Sequence, residues 1–288
     1  MSQPELILDI KNQLGEGPMW DADAQIFYWV DILGHAFHSL NPTTGEHQRY
    51  DIGQPVGTVV LRQQGGFVLA LRDGLAFYNA ATGKLDPIID PEADRPESRF
   101  NDGAVDRQGR FWAGTMDQGQ PISSLYRLDT DLSLHTMETG IITSNGIGWS
   151  PDDSIMYYAD TGFKTIYMYD FDPATGAIEN RRAFVQVPDG EGSPDGLTVD
   201  SEGFVWSARW DGWKIARYDP DGKLEREIAM PAARVTSCVF GGENLDELYI
   251  TTARTGFNEE QLQQQPHAGS VFRLKTDVRG IAEPKFGA

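Results

Sequence analysis

The segment GFVWSARWDGWKIARYDPDGK, residues 203–223, decides the fold. It contains two runs in which aromatic and aliphatic residues alternate with polar ones, and Asp211 and Gly212 separate the two runs. Alternation with a period of two is typical of β-strands, and the closing DPDG is a turn sequence. The segment therefore predicts an antiparallel pair of strands.

Five other segments repeat this plan of run, turn, run and turn, and they are residues 25–46, 66–84, 109–131, 154–177 and 247–277. The six units begin near Ile26, Phe67, Arg110, Ile155, Phe204 and Leu248, at intervals of 41, 43, 45, 49 and 44 residues. That period suits a four-stranded propeller blade, and no segment has sustained helical periodicity. The sequence therefore predicts an all-β fold, a six-bladed β-propeller with four-stranded antiparallel blades around a central channel, as a single domain over residues 1–288.

Three stretches complete the expected layout. Because an open edge strand invites unwanted pairing, ELILDI (5–10) is predicted to supply the outer strand of the last blade. NEEQLQQQ (258–265) predicts a short helical turn inside a loop, and DPEADRPESR (90–99) is the one loop that breaks the repeat.

Charge and composition narrow the classes of function. The formal net charge is −19 without any basic run, which argues against nucleic acid as a partner. No stretch approaches the roughly 18 apolar residues of a membrane helix, and the N-terminal residues lack a secretory pattern. Cys238 is the only cysteine. We expect a soluble cytoplasmic protein without a membrane partner.

A shorter strand is predicted before each unit, marked by one apolar residue a few positions ahead of a polar turn. These landmarks are Trp20, Leu61, Val105, Trp149, Val199 and Phe240. The residues four positions before them are Glu16, Gly57, Asn101, Asn145, Asp195 and Thr236. Since the first strand of each blade lines the channel, these equivalent positions are expected to meet at its mouth.

Two interpretations of these polar residues remain open. Taken singly, Asn145 in SNG, Asp195 in PDG and Glu16 in GEGP are explained by turns. Taken together, carboxylates and amide oxygens form a set that favours Ca²⁺, Mg²⁺ or Mn²⁺, with Zn²⁺ and Fe²⁺ also possible. The histidines do not form a competing site, because His47, His135 and His267 are isolated in sequence. All five, including His35 and His38, are expected to be surface or packing residues.

The motifs also resemble a known family. LGEGPMW (14–20), RFNDGAVDRQGRFWAGTM (99–116), SNGIGWSPD (144–152), SPDGLTVDSEGFVWSARW (193–210) and TTARTGFNEEQLQQQPHAGSVF (251–272) occur in order. They resemble the gluconolactonase, senescence-marker-protein (regucalcin) and luciferin-regenerating-enzyme family, in detail its bacterial sugar-lactonase branch. The resemblance runs from about Leu14 to about Arg279. It implies a six-bladed propeller that hydrolyses aldonolactones such as glucono-, xylono-, arabinono- or galactonolactone.

The same resemblance implies roles for individual residues. Glu16, Asn145 and Asp195 would be the protein ligands of one divalent metal ion, and Arg99 and Asn101 would bind the sugar lactone. One position departs from the pattern, because Gly119 stands where some members carry a substrate-contacting glutamate, with Asp117 two residues earlier. Substrate choice therefore cannot be transferred from those members.

The residues suggest a mechanism and leave alternatives open. Asp195 is expected to be the general base, or less simply a nucleophile. Arg99 could instead be a surface residue at the end of the acidic loop. Of Trp206, Trp210 and Trp213, at least two are expected to pack between blades, while one could stack on a sugar. Alternative functions are a metal-dependent organophosphate triester hydrolase and a non-catalytic calcium-binding propeller.

Overall fold

Six sheets of four antiparallel strands form the blades of a propeller in the computed structural model, which describes residues 3–288. In five sheets the strands follow one another in chain order, whereas the sixth sheet takes its last strand from the start of the chain. The first strand of each blade contacts the first strands of both neighbouring blades, which closes a ring around the central channel. The predicted six-bladed all-β fold is confirmed.

The strands and the one helix of the described residues have the following bounds. They are β1 (Glu5–Leu8), β2 (Gly15–Asp21), β3 (Ile26–Asp31), β4 (Ala36–Leu40), β5 (His47–Asp51), β6 (Val56–Leu61), β7 (Phe67–Leu71), β8 (Gly74–Asn79), β9 (Lys84–Ile89), β10 (Arg99–Val105), β11 (Phe111–Met116), β12 (Ser123–Leu128), β13 (Leu134–Ile141), β14 (Ser144–Trp149), β15 (Ile155–Asp160), β16 (Thr165–Asp172), β17 (Ala177–Gln186), β18 (Ser193–Val199), β19 (Val205–Trp210), β20 (Lys214–Tyr218), β21 (Leu224–Ala229), β22 (Val235–Gly241), β23 (Glu247–Thr252), α1 (Glu259–Gln264) and β24 (Val271–Lys275). Blades 1 to 5 take β2 to β21 in order, four strands each, and blade 6 consists of β22, β23, β24 and β1.

Ring closure follows the expected route. The strand β1 pairs antiparallel with β24, with Glu5 opposite Arg273. The side chains of these two residues also form an ion pair of 3.0 Å. The N-terminal strand thus supplies the outer strand of the last blade, as predicted from ELILDI. Its pairing covers the edge that β24 would otherwise leave open.

Burial falls from the channel outward within each blade. The innermost strand β22 is buried along its whole length, whereas the outermost strand β5 is exposed at four of its five residues. Trp206 packs in the core against Phe240 of the next blade, with ring centroids 5.7 Å apart. Trp213 is 45% exposed, so it is not one of the tryptophans that pack between blades.

A repeated turn fastens the innermost strand to the second strand of blades 3 and 5. Asp200 accepts hydrogen bonds from two backbone N–H groups of its own turn and from Trp206 Nε1 at 2.8 Å. Asp106 makes the equivalent bond to Trp112 Nε1 at 2.9 Å. Gly109 and Gly203, three residues after each aspartate, have φ values of 82° and 87°, which favour glycine. In these two blades the turn therefore holds a core tryptophan and fixes the C-terminal end of the innermost strand.

The C-terminal segment, residues 278–288, lies across those ends. Gly280 forms a bridge with Asp200, and Phe286 N–H donates to the Leu61 carbonyl at 2.8 Å. Gly287 N–H donates to the Gly109 carbonyl at 3.0 Å. The segment thus joins blades 2, 3 and 5 at the end of the channel opposite the predicted polar residues.

The predicted helical turn at 258–265 is confirmed as α1. Asn258 caps it, and the side chain of Gln261 bonds back to the Asn258 N–H, which completes a capping box. Among the described residues, no helix has the length and apolar character needed to span a membrane.

His38 is the most deeply buried of the histidines, in a stack with two other rings. Trp29, His38 and His47 lie parallel across β3, β4 and β5, and His38 Nδ1 is 3.0 Å from His47 Nε2. His47 is therefore not isolated, although its sequence spacing suggested so. His38 Nε2 is buried without a hydrogen-bond partner among the described residues. Burial, with smaller effects of His47 and Arg49, lowers the pKa of His38 to about 3.

This burial predicts an acid-sensitive component of stability. An exposed histidine has a pKa of 6.5. Between pH 6.5 and 3, His38 is therefore protonated in the unfolded state and neutral in the native state. The contribution is fully present above pH 6.5 and is lost as the pH falls, by about 2 kcal/mol at pH 5. We expect His38→Phe to lose less unfolding free energy than wild type between pH 7 and pH 5, measured by urea unfolding. Equal losses in the two proteins would contradict the prediction.

Candidate functional site

One cavity of about 210 Å³ opens where the innermost strands begin. All five residues singled out in the sequence line it, and they are Glu16, Arg99, Asn101, Asn145 and Asp195. Leu14, Met116, Thr143, Thr161 and Trp210 complete the wall. Four of the five residues, up to 179 positions apart in the chain, thus share one site, as their common phase predicted, and they are Glu16, Asn101, Asn145 and Asp195.

The innermost strands of blades 1, 3, 4 and 5 each contain an irregularity beside their polar residue of the common phase. The strand register shifts between Glu16 and Met19 in blade 1, and between Pro194 and Leu197 in blade 5. The first strands of blades 3 and 4 shift at the equivalent places. A β-bulge redirects a side chain that regular pairing would place on the other face. The bulges explain how these residues reach the channel mouth.

The turn interpretation of SNG and PDG is wrong. Asn145 and Asp195 lie inside buried strands, and the glycine after each serves close packing between blades. A Cβ on Gly146 would lie 2.4 Å from the backbone nitrogen of Leu197 in the next blade. A Cβ on Gly196 would lie 2.0 Å from Ser237 Oγ. The glycines therefore let neighbouring innermost strands approach each other.

The ionised forms of the two carboxyl groups in the cavity, Glu16 and Asp195, are disfavoured. Burial, and next the negative charge of Asp195, raises the pKa of Glu16 well above its ordinary value. Burial, and next the charge of Asp102, raises the pKa of Asp195 in the same way. Burial also raises the pKa of Asp102 to about 6. A positive charge between these groups would favour their ionised forms.

The amide of Asn145 has an unused acceptor beside these carboxyl groups. Its Oδ1 is buried with no hydrogen-bond partner in the described part of the chain. The side chain of Asn145 lies within hydrogen-bonding reach of Asp195, which in turn reaches Glu16. No cluster of three or more His, Cys, Asp or Glu side chains with metal-binding character occurs among residues 3–288. The set of two carboxyl groups and one amide oxygen nevertheless fits a hard divalent cation.

Arg99 lies at the cavity wall, so it is not a surface residue of the acidic loop. Its Nη1 donates to Asn101 Oδ1 at 2.7 Å and to the Phe100 carbonyl at 2.9 Å. Asn101 Nδ2 donates to the Ser144 carbonyl at 2.8 Å. Burial lowers the pKa of Arg99 to about 10, while Glu16 opposes the change. Arg99 therefore stays cationic at neutral pH, and its remaining N–H groups are donors for a ligand.

The acidic loop before Arg99 is anchored by Glu92. This buried carboxylate accepts hydrogen bonds from Thr115 Oγ1 at 3.0 Å and Tyr126 OH at 2.9 Å. It also pairs with Arg95, whose guanidinium bonds to the Ile122 carbonyl. Sequence reasoning missed this anchor, because nothing in the loop distinguishes Glu92 from its other acids. The bonds fix the approach of the chain to Arg99.

The two residues at which the sequence differs from the family pattern, Gly119 and Asp117, lie outside the cavity wall. Gly119 does not line the cavity, has a φ of 73°, and would place a Cβ in open space. Asp117 is buried but is not part of the cavity wall either. Trp210 does line the wall, and the Arg234 guanidinium lies 4.6 Å above its ring. The indole of Trp210, rather than an acid from the loop of residues 117–119, therefore supplies a large surface for contact with a ligand.

The chain is similar in sequence and in fold to proteins that are already known. The sequence model described as "SMP-30/Gluconolactonase/LRE-like region" matches residues 14–254. The pentonolactonase XacC of Haloferax volcanii is 38% identical over 294 aligned positions, which cover 97% of this chain and 96% of the relative. The 6-deoxy-6-sulfogluconolactonase of Pseudomonas putida is 38% identical over 277 positions, covering 95% and 94%. The crystal structure of regucalcin from Agrobacterium tumefaciens, described as a calcium-binding protein, has a TM-score of 0.95 at 27% identity and covers 100% of this chain and 98% of its own.

Proposed function

The chain belongs to the SMP-30/Gluconolactonase/LRE-like family, and we propose that it hydrolyses the lactone of a sugar acid with the help of one divalent metal ion. The names of the relatives support lactone hydrolysis as the reaction class. The observation that supports a metal ion is Asn145 Oδ1, which is buried with no hydrogen-bond partner among the described residues and lies beside two carboxyl groups whose pKa values are raised. Such a group has a cost that a bound cation offsets.

The roles follow from the chemistry of each side chain. Glu16, Asn145 and Asp195 would hold the ion, which when bound supplies positive charge that polarises the lactone carbonyl and lowers the pKa of a bound water. Asp195 accepts a proton from the attacking water as the water oxygen bonds to the carbonyl carbon. The ring C–O bond then breaks, and the ring oxygen takes up a proton to become the hydroxyl of the aldonic acid.

Arg99 and Asn101 would orient the substrate. The free N–H groups of Arg99 suit the carbonyl or hydroxyl oxygens of a sugar ring, and Asn101 Oδ1 keeps the guanidinium in place. The indole of Trp210 offers an apolar face to the C–H groups of the ring. A small, neutral, polyhydroxylated lactone matches these groups and the size of the cavity.

The direct test is hydrolysis of gluconolactone, xylonolactone, arabinonolactone and galactonolactone, followed by acid release at neutral pH. We expect turnover well above the spontaneous rate for at least one of them. A phosphotriester measured beside them tests the organophosphate alternative, because the same metal would also polarise a P=O bond. Tight metal binding without turnover of any of these substrates would overturn the proposal and favour the calcium-binding alternative.

A substitution at Asn101 separates substrate binding from metal binding. We expect Asn101→Ala to raise KM about 10- to 100-fold, because Arg99 loses its charge-assisted partner and is no longer held in place for the substrate. Metal affinity, measured by calorimetry, should stay near the wild-type value. Asn180→Ala, which changes an exposed asparagine on the outer strand β17, is the matched control. Loss of the metal in Asn101→Ala would contradict this division of roles.

A further inference from the structure

Thr161 lies in the cavity wall directly after β15 and joins blades 4 and 5. Its Oγ1 accepts a hydrogen bond from Asn145 Nδ2 at 3.0 Å. The same hydroxyl donates to the Pro194 carbonyl at 2.8 Å, one residue before Asp195. Thr161 therefore connects the side chain of Asn145 to the backbone directly before Asp195 through a single oxygen atom.

The direction of these two bonds follows from proton counting. A hydroxyl has one proton, and a proline carbonyl can only accept, so the Thr161 proton is committed to Pro194. The hydroxyl can then only accept from Asn145. The end of the amide that faces Thr161 must therefore be the NH₂ group, which places Oδ1 at the opposite end. Within residues 3–288, the buried Oδ1 has no hydrogen-bond partner, in agreement with this orientation.

We propose that Thr161 is a positioning residue that determines which end of the Asn145 amide is offered to the metal ion. The proposal rests on the proposed function, because it assigns a partner to one of its ligands. Asp195 is the other acceptor within reach of the amide, but a bound cation competes for that carboxylate. The Thr161 hydroxyl is the acceptor that remains. Without it, only the cation would select the amide oxygen over the NH₂ group, and the orientation would no longer be set before the ion binds.

The test measures Ca²⁺ binding to the full chain by calorimetry. We expect Thr161→Val, which has nearly the same shape, to weaken binding about 10- to 100-fold, the usual effect of removing a group that orients a metal ligand. Thr161→Ser keeps the hydroxyl and should restore affinity to within about twofold of wild type. Thr161→Ala provides a second way to remove the hydroxyl if the valine variant does not fold, as judged by thermal unfolding without metal.

A second background distinguishes orientation from general damage. In Asn145→Asp both ends of the side chain are oxygen, so no orientation needs to be selected. We expect Thr161→Val to have little or no effect on Ca²⁺ affinity in that background, and a non-additive cycle of this kind measures the coupling directly. Equal losses in both backgrounds would overturn the inference, because they would indicate a structural defect.

The outcomes also separate this inference from the proposed function. If Asn145→Ala loses Ca²⁺ while Thr161→Val binds it as tightly as wild type, the positioning role is wrong and the metal site stands. If wild type binds none of Ca²⁺, Mg²⁺, Mn²⁺, Zn²⁺ and Fe²⁺, the metal part of the proposed function fails and the inference fails with it.

Discussion

Replacing Asp195 by alanine should lower kcat/KM for lactone hydrolysis by about 10³-fold or more, and should weaken metal binding as well. The side chain is expected to serve twice, as a ligand and as the acceptor of the proton from water. It is buried at 2% exposure in the cavity wall, within hydrogen-bonding reach of Glu16 and Asn145. Steady-state kinetics on the preferred lactone and Ca²⁺ calorimetry measure the two effects separately.

Asp195→Asn divides the two roles. The asparagine keeps an oxygen ligand but cannot take up a proton, so turnover should fall much further than metal affinity. Asp86→Ala, an exposed aspartate on the outer strand β9, serves as the matched control and should retain wild-type kinetics. Near-normal activity of Asp195→Ala would remove this residue from the mechanism.

A single turnover in ¹⁸O-labelled water distinguishes a base from a nucleophile. If Asp195 activates water, the label enters the carboxyl group of the aldonic acid. If Asp195 attacks the carbonyl itself, it forms an anhydride with the sugar acid as the ring C–O bond breaks. Water that adds to the Asp195 carbonyl carbon of this anhydride leaves the label in Asp195, so label in the protein identifies a nucleophile. Mass spectrometry of product and protein records the two patterns.

Removing divalent ions by chelation should reduce turnover to near the spontaneous rate, a loss of about 10³-fold or more. Without a cation, repulsion and burial oppose ionisation of Glu16 and Asp195, as the raised pKa values of both groups indicate. The substrate carbonyl would also lose the positive charge that stabilises the developing oxyanion. Restoring Ca²⁺, Mg²⁺, Mn²⁺, Zn²⁺ or Fe²⁺ one at a time should return activity with the physiological ion.

Thermal unfolding without substrate tests whether the protein binds the ion. An ion that binds the native state alone raises the free energy of unfolding, by about 2.7 kcal/mol at a concentration 100 times Kd. The Tm should therefore rise with ion concentration in wild type, and much less in Glu16→Gln. Full activity in a sample with no detectable metal would show that the reaction proceeds without the ion.

Much of the fold was predictable because it is encoded between near neighbours in the chain. The alternation in 203–223 and its five repeats predicted the strand pairs, and the second strands of the blades begin within one residue of the predicted starts. Closure by β1 was predictable for a different reason, since an unpaired edge needs a partner. That residues 1–288 form a single domain stays a prediction.

The composition of the candidate site was also predictable, through the repeat. Glu16, Asn101, Asn145 and Asp195 occupy one phase of the innermost strands, and a closed ring brings equal phases together. The motifs of the family added Arg99. Their roles in metal and substrate binding stay predictions until the variants are measured.

Other features were settled by packing between distant parts of the chain. Asn-Gly and Asp-Gly pairs occur in turns and in bulged strands alike, and the contact of Gly146 with Leu197 of the next blade decides between them. The pairing of His38 with His47 depends on register across β4 and β5. The orientation of the Asn145 amide depends on a hydroxyl 16 residues away and a carbonyl 33 residues beyond that. Local sequence determines which residues form strands and which phase faces the channel, whereas contacts between blades determine where each donor and acceptor points.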